Sequence, residues 1–192
     1  LITMPSTPAF VKSRWSMARA VASSKSPFTG HEQVYPYDMA CWQATMTLPP
    51  MKRAQAGAWQ AFFMLLKGRA NTFLLGDPDG KSPQGGATTC SVASTAVIEA
   101  TSISLTLNGT VKAGDYVQFG TGATSQLHMI TADANAGTVT VSIEPALKVA
   151  VGTGTASVLN TACVMRMDSN DLGWDADHVS KYGFSFSCTE AL

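Results

Sequence analysis

Leu48-Pro-Pro-Met-Lys-Arg-Ala-Gln-Ala-Gly-Ala-Trp-Gln-Ala-Phe-Phe-Met-Leu-Leu-Lys-Gly-Arg-Ala-Asn-Thr-Phe-Leu-Leu-Gly-Asp-Pro-Asp-Gly80 is the stretch that decides the fold. It reads as one amphipathic helix over about residues 51–67, running straight into one short buried strand. Pro49 and Pro50 suit a helix's first turn, where a missing N–H has no partner to lose. Trp59, Phe62, Phe63 and Leu66 fall at i, i+3, i+4 and i+7, and Ala58 and Leu65 broaden that stripe. Lys67 and Arg69 complement the negative end of the helix dipole, and Gly68 lets the chain leave the helix. Residues 72–75 read as a strand, closed by the turn signal Gly76-Asp-Pro-Asp-Gly80. The sequence on both sides is β-rich, so a lone helix must lay its aromatic stripe on a sheet.

The flanks show which sheet. Residues 15–24 and 39–48 read as two strands around a turn near Pro27-Phe-Thr-Gly30. In the second, Ala40, Trp42, Ala44, Met46 and Leu48 share one face, and Gln43, Thr45 and Thr47 the other. At the C-terminal end Tyr182, Phe184, Phe186 and Cys188 point one way, and Gly183, Ser185, Ser187 and Thr189 the other. Such strands are half-buried. The expected core therefore joins Trp59, Phe62, Phe63 and Leu66 of the helix to Trp42, Met46, Phe184 and Phe186 of the sheet.

Between these parts the composition changes. Residues 81–160 are rich in Gly, Ser, Thr and Ala and carry no helical period. Asn108-Gly109 is a strong turn dipeptide. Short strands at 115–119, 126–130 and 138–143 follow at the spacing of a small barrel or meander. The expected class is mainly β: a sandwich from residues 1–80 and 161–192 with one flanking helix, and a small β-module, 81–160, inserted at an exposed turn. Such an insertion costs the host little, because loop-closure entropy grows slowly with length. One larger undivided sandwich is the competing reading.

The chain has 192 residues, 45% of them hydrophobic, with thirteen basic residues balancing thirteen acidic ones. Charged residues are only 14%, against about 25% in ordinary soluble domains. That balance argues against gripping nucleic acid by phosphate neutralisation. It suits a subunit that hides its surface against copies of itself. No apolar run approaches the roughly 20 residues of a membrane helix. The opening Leu-Ile-Thr-Met-Pro has no basic start or apolar core of a signal sequence, so assembly in a reducing cytoplasm is expected. Cys41, Cys90, Cys163 and Cys188 form no CxxC pair, and small buried thiols are expected instead of metal ligands.

Four further sets of residues bear on chemistry. His31, His128 and His178 are scattered; His128 should point away from whatever Leu127 and Met129 bury, towards a surface or a pore. Asp168, Asn170, Asp171, Gly173, Asp175 and Asp177 suggest a calcium loop. However, Leu172 and Val179 occupy positions where such a loop needs oxygen ligands, so a solvated turn is expected. Asp175, Asp177, His178 and Ser180 crowd together without an oxyanion hole. The glycine pairs Gly120/Gly122 and Gly152/Gly154 lack the remainder of a phosphate loop. The expectation is a protein that is not an enzyme and holds no cofactor or metal.

Leu48-Pro-Pro-Met51, Ala58-Trp-Gln-Ala-Phe62 and Leu75-Gly-Asp-Pro-Asp79 together resemble the distal tail proteins of long-tailed bacteriophages. The resemblance continues through Lys112-Ala-Gly-Asp-Tyr116, Gly173-Trp-Asp-Ala-Asp177, Tyr182-Gly-Phe-Ser-Phe186 and Glu190-Ala-Leu192. It implies a tail-tube-like β-sandwich in a virion tail, assembled in the host bacterial cytoplasm. Copies would form a hexameric ring joining the tail-tube protein to the tail-tip hub protein of the baseplate, and DNA would pass through the lumen. The inserted module would project outward, steadying neighbours or carrying side fibres. Two alternatives stay open. One is a tail-tube or terminator ring subunit, with residues 28–38 as its stacking arm. The other is a carbohydrate-binding module at the host surface, disfavoured because 81–160 holds only Tyr116 and Phe119 as aromatics.

Overall fold

The computed structural model describes residues 1–171, 173–176 and 181–192. The fold is mainly β, 47% strand and 9% helix, with a flanking helix and a small barrel. Strands β1 (Lys12–Lys25) and β2 (Glu32–Thr47) form a long hairpin; β3 (Met51–Lys52) leads into helix α1 (Arg53–Leu66) and then β4 (Thr72–Leu75). Six strands follow: β5 (Cys90–Val92), β6 (Ser102–Leu107), β7 (Tyr116–Phe119), β8 (Gln126–Ile130), β9 (Gly137–Glu144) and β10 (Gly154–Ser157). The chain closes with β11 (Cys163–Met167), β12 (Asp175–Ala176), β13 (Lys181–Gly183) and β14 (Ser185–Glu190).

Five strands make an antiparallel sheet in the order β1-β2-β14-β11-β4. Its register places Phe186 opposite Met46 and Cys188 opposite Ala44, so the apolar sets of β2 and β14 share a face. At Leu48 the sheet turns: Leu48 N–H still donates to the Phe184 carbonyl, and beyond it β3 pairs with β13, which pairs with β12. The other face carries small polar side chains, with Thr45 against Ser187 and Thr47 against Ser185.

Helix α1 covers one end of the apolar face. Trp59, Phe62, Phe63 and Leu66 are buried there, with Phe63 5.7 Å from Phe184 and 5.4 Å from Phe186 between ring centroids. Four details differ from the sequence reading. The prolines precede the two-residue strand β3, and the helix starts at Arg53 without a side-chain cap, because buried Met51 is held by pairing with Tyr182. Ala56 completes the buried stripe, and Ala58 is exposed. Leu65 is also exposed, since each residue off the stripe turns about 100° around the axis. The helix stops one residue early, with Lys67 already left-handed at φ 50° and Gly68 at φ 63°; Asn71 caps it by donating from its backbone N–H to Leu66 O and from its side-chain amide to Leu65 O.

Strands β5 to β10 close into a barrel in the order β10-β5-β6-β9-β8-β7. Leu105, Val117, Phe119, Ile130 and Ile143 are among the side chains filling it. The segment enters at Lys81 and leaves at Asn160, whose N–H donates to the Lys81 carbonyl at 2.8 Å. Strand β14 pairs with β2 and β11, and β7, β8 and β9 pair within the barrel. Asn108-Gly109 does not turn a hairpin, since β6 pairs with β5 and β9. Asn108 instead accepts at its side-chain oxygen from Thr88 and Thr89 N–H, and its amide donates to Thr88 Oγ1.

The barrel is packed against the sheet. Strands β7 and β8 are buried on both faces: Val117, Phe119 and Ile130 face the barrel interior, and Tyr116 and Leu127 join the sheet's core. Trp42 is buried in that core as expected, but its aromatic neighbours are Trp15 at 6.0 Å and Tyr116 at 5.9 Å, and its indole N–H donates to Leu127 O at 2.7 Å. One sheet face is thus covered by the helix at one end and by the barrel at the other.

Candidate functional site

The β1–β2 hairpin outruns the sheet that carries it. Pairing of β2 with β14 ends at Gln43 opposite Thr189, and β1 is an edge strand. From Val21 to Lys25, paired with Pro36 to Glu32, each strand has only the other as neighbour among the described residues. At about 3.4 Å per residue this two-stranded arm extends roughly 20 Å. It leaves the sheet at an irregularity between Arg19 and Val21, of the kind that bends and twists a ribbon.

Both sides of the arm expose apolar side chains among polar ones. Val21 pairs with Pro36 on one face and Ala22 with Tyr35 on the other. Val21, Val34, Tyr35, Tyr37 and Met39 are all exposed, and Phe28 at the tip is 96% exposed. Its tip is ordered: Ser26 N–H donates to His31 O and Gly30 N–H to Ser26 O, and Ser26 Oγ accepts from Phe28 and Thr29 N–H. The segment 28–38, read as a stacking arm outside the two expected strands, is mostly strand, since β2 begins at Glu32. Alternation of Tyr35, Tyr37 and Met39 was the signal available in the sequence; interleaved Pro36 and Asp38 masked it.

A two-stranded ribbon has little stability of its own in water. Both its backbone edges present unpaired N–H and C=O groups, and edges of this kind pair with other chains. Chemically, then, the arm offers strand addition flanked by aromatic side chains.

All eight residues expected in the core, Trp42, Met46, Trp59, Phe62, Phe63, Leu66, Phe184 and Phe186, lie in one buried cluster. His128 is a correction. It points away from Leu127, as read, yet it faces the barrel interior at 1% exposure, with its ring 5.4 Å from Phe119. Its Nδ1 lies 2.6 Å from Pro145 O, and Nε2 is buried without a partner. Burial pushes its pKa down to about 4, aided by the Lys148 charge and opposed by the bond to Pro145. His31 is exposed near the arm's tip.

The thiols divide. Cys163 and Cys188 are buried, and burial raises both pKa values, that of Cys188 to about 12. Cys41 and Cys90 are only half-buried, which corrects the expectation of four buried thiols. Asp168 accepts a hydrogen bond from Thr189 Oγ1, and Asp175 pairs with Gly183 in β12; Leu172, Asp177, His178, Val179 and Ser180 lie outside the described residues. Among the described residues no group of three or more His, Cys, Asp or Glu is placed to hold a metal ion, and no helix is long and apolar enough to cross a membrane. No protein-family model matches the sequence, and no curated protein matches it significantly.

Proposed function

We propose that this chain is a structural subunit of a long-tailed bacteriophage tail. Specifically, it is a distal tail protein whose copies close into a hexameric ring between tail tube and tip hub, with a lumen for DNA. The observation that carries this reading is the arm: its two faces expose Val21, Val34, Tyr35 and Tyr37 and its two edges are unpaired. Such a ribbon gains a partner most simply from the next copy in a ring, where every subunit both gives and receives. The motif resemblance described above and a net charge of zero support the same assignment, because a neutral surface lets phosphate slide past.

The arm's length favours one second reading, a tail-tube subunit whose rings stack in open series. Carbohydrate binding gains nothing from the barrel, since Tyr116 and Phe119 are both buried and stacking on sugars needs exposed rings.

Solution mass separates these readings. The full chain should form a closed ring of a single mass, and replacing residues 22–35 by a two-residue turn should leave monomers with an unchanged melt. Open stacks of many rings would assign the tube. A full chain that stays monomeric at virion-like local concentrations would overturn both.

A further inference from the structure

Among the remaining features, the place where the arm leaves the sheet carries an inference of its own. Barrel residues Glu144 to Lys148 lie against it and contact both strands. Arg19 of β1, the last residue before the irregularity, donates to Glu144 Oε2 at 2.8 Å. Lys148 Nζ sits 2.5 Å from Glu190 Oε2 at the end of β14 and 3.9 Å from Cys41 Sγ on β2. The same Glu190 oxygen accepts from Trp42 N–H at 3.0 Å, so the backbone group that β14 no longer pairs is taken up by a buried carboxylate.

Two of the barrel's buried polar side chains hold this segment from behind. His128 Nδ1 meets Pro145 O. Gln126, 2% exposed, accepts from Lys148 N–H and Val149 N–H and donates to Val149 O. Two polar groups inside an apolar barrel are costly unless they hydrogen-bond, and here both spend their bonds on residues 145–149. Past Ala40, by contrast, no hydrogen bond or ion pair among the described residues ties the arm to the rest of the chain.

We infer that residues 144–148 are a brace, by which the barrel fixes the direction in which the β1–β2 arm leaves the sheet and so makes the arm competent to meet a second copy. The inference rests on the arm being the assembly contact. The barrel then acts as a positioning element for assembly, whatever else its outer surface does.

The test measures arm direction and assembly separately. Spin-labelled non-natural residues replacing Ser24 on the arm and Thr140 on the barrel, with all native cysteines kept, report the distance between them by pulsed electron resonance. Labelled chains are diluted into unlabelled full-length protein. One variant carries Arg19→Gln with Glu144→Gln at the half-exposed pair. The other carries Lys148→Met with Glu190→Gln, so that no buried charge is left unpaired. The parent should give a narrow distribution, each variant a broader one and the combination the broadest, with ring yield falling in the same order. An unchanged distribution in a combined variant that still melts cooperatively would overturn the brace. Should that combination fail to fold, R19Q with E144Q alone decides it by the same criterion. Broadening with undiminished ring yield would uphold the brace and overturn the arm as the assembly contact.

Discussion

His128 shows how one residue couples the barrel core to acidity. Its folded pKa of about 4 lies below the ordinary value of 6.5, chiefly through burial. The unfolded chain therefore takes up a proton near pH 6.5 that the folded chain refuses until about pH 4. Stability should be complete above the unfolded value and fall as pH drops through that window, by about 3 kcal/mol in all. Urea melts between pH 7 and 4.5 should show the slope, and His128→Gln, which keeps a donor for Pro145 O, should flatten it. Two further residues give independent checks. Phe62, packed against Trp59, Phe63 and Phe73, should cost roughly 3–5 kcal/mol when cut to Ala; a loss below about 1 kcal/mol on thermal melting would mean that the stripe faces a partner. Lys67 holds φ 50° at the helix end, a conformation costing a non-glycine residue roughly 1–2 kcal/mol. Lys67→Gly should accordingly raise the melting temperature.

At the scale of elements, the hairpin is half core and half arm. Residues 42–47 of β2 are anchored by Trp42, Ala44 and Met46 in the main core, whereas residues 32–39 have exposed side chains wherever they are described. Local opening should follow that division. In monomeric protein the amides of Ala22 to Lys25 should exchange hydrogen well before those of Phe186 and Cys188, and assembly should slow them. Equal protection of arm and sheet in the monomer would show that the arm folds against its own chain. Helix and strand periods made the anchored half legible: the Trp59-to-Leu66 stripe, β4 and the alternation from Phe184 to Cys188 needed only local spacing. The arm was less so, because exposed apolar residues carry no periodic contrast with their neighbours.

Across the whole molecule, the two connections at Lys81 and Asn160 meet through one hydrogen bond, yet the barrel covers Trp42 through Tyr116 and Leu127. Replacing residues 82–160 by a short Gly/Ser bridge should therefore leave a cooperatively melting sheet and helix of reduced stability. Exposing Trp42 alone should account for roughly 1.5–3 kcal/mol of the loss, and Trp42→Gln in the shortened chain should restore its solubility. Absence of any cooperative melt, even with Trp42 replaced, would make the barrel an obligatory part of one fold.

The sequence by itself determined which residues share a face. Period 3.6 set Trp59 beside Phe62 and Phe63, and period 2 set Trp42 with Met46 and Phe184 with Phe186, because side-chain direction follows from backbone geometry alone. Only the tertiary structure decided what lies against each face. Leu127 and His128 alternate like any strand, but β8 separates two cores, so both are buried; nothing local distinguishes that from one core and water. Asn108 turns no hairpin because Thr88 and Thr89, just before the neighbouring strand β5, claim its side chain. Lys148 finds Glu190, and Arg19 finds Glu144, only once the barrel has docked. Pairings between distant segments depend on how whole elements pack, and that information resides in the sum of many weak contacts and in no single stretch of chain.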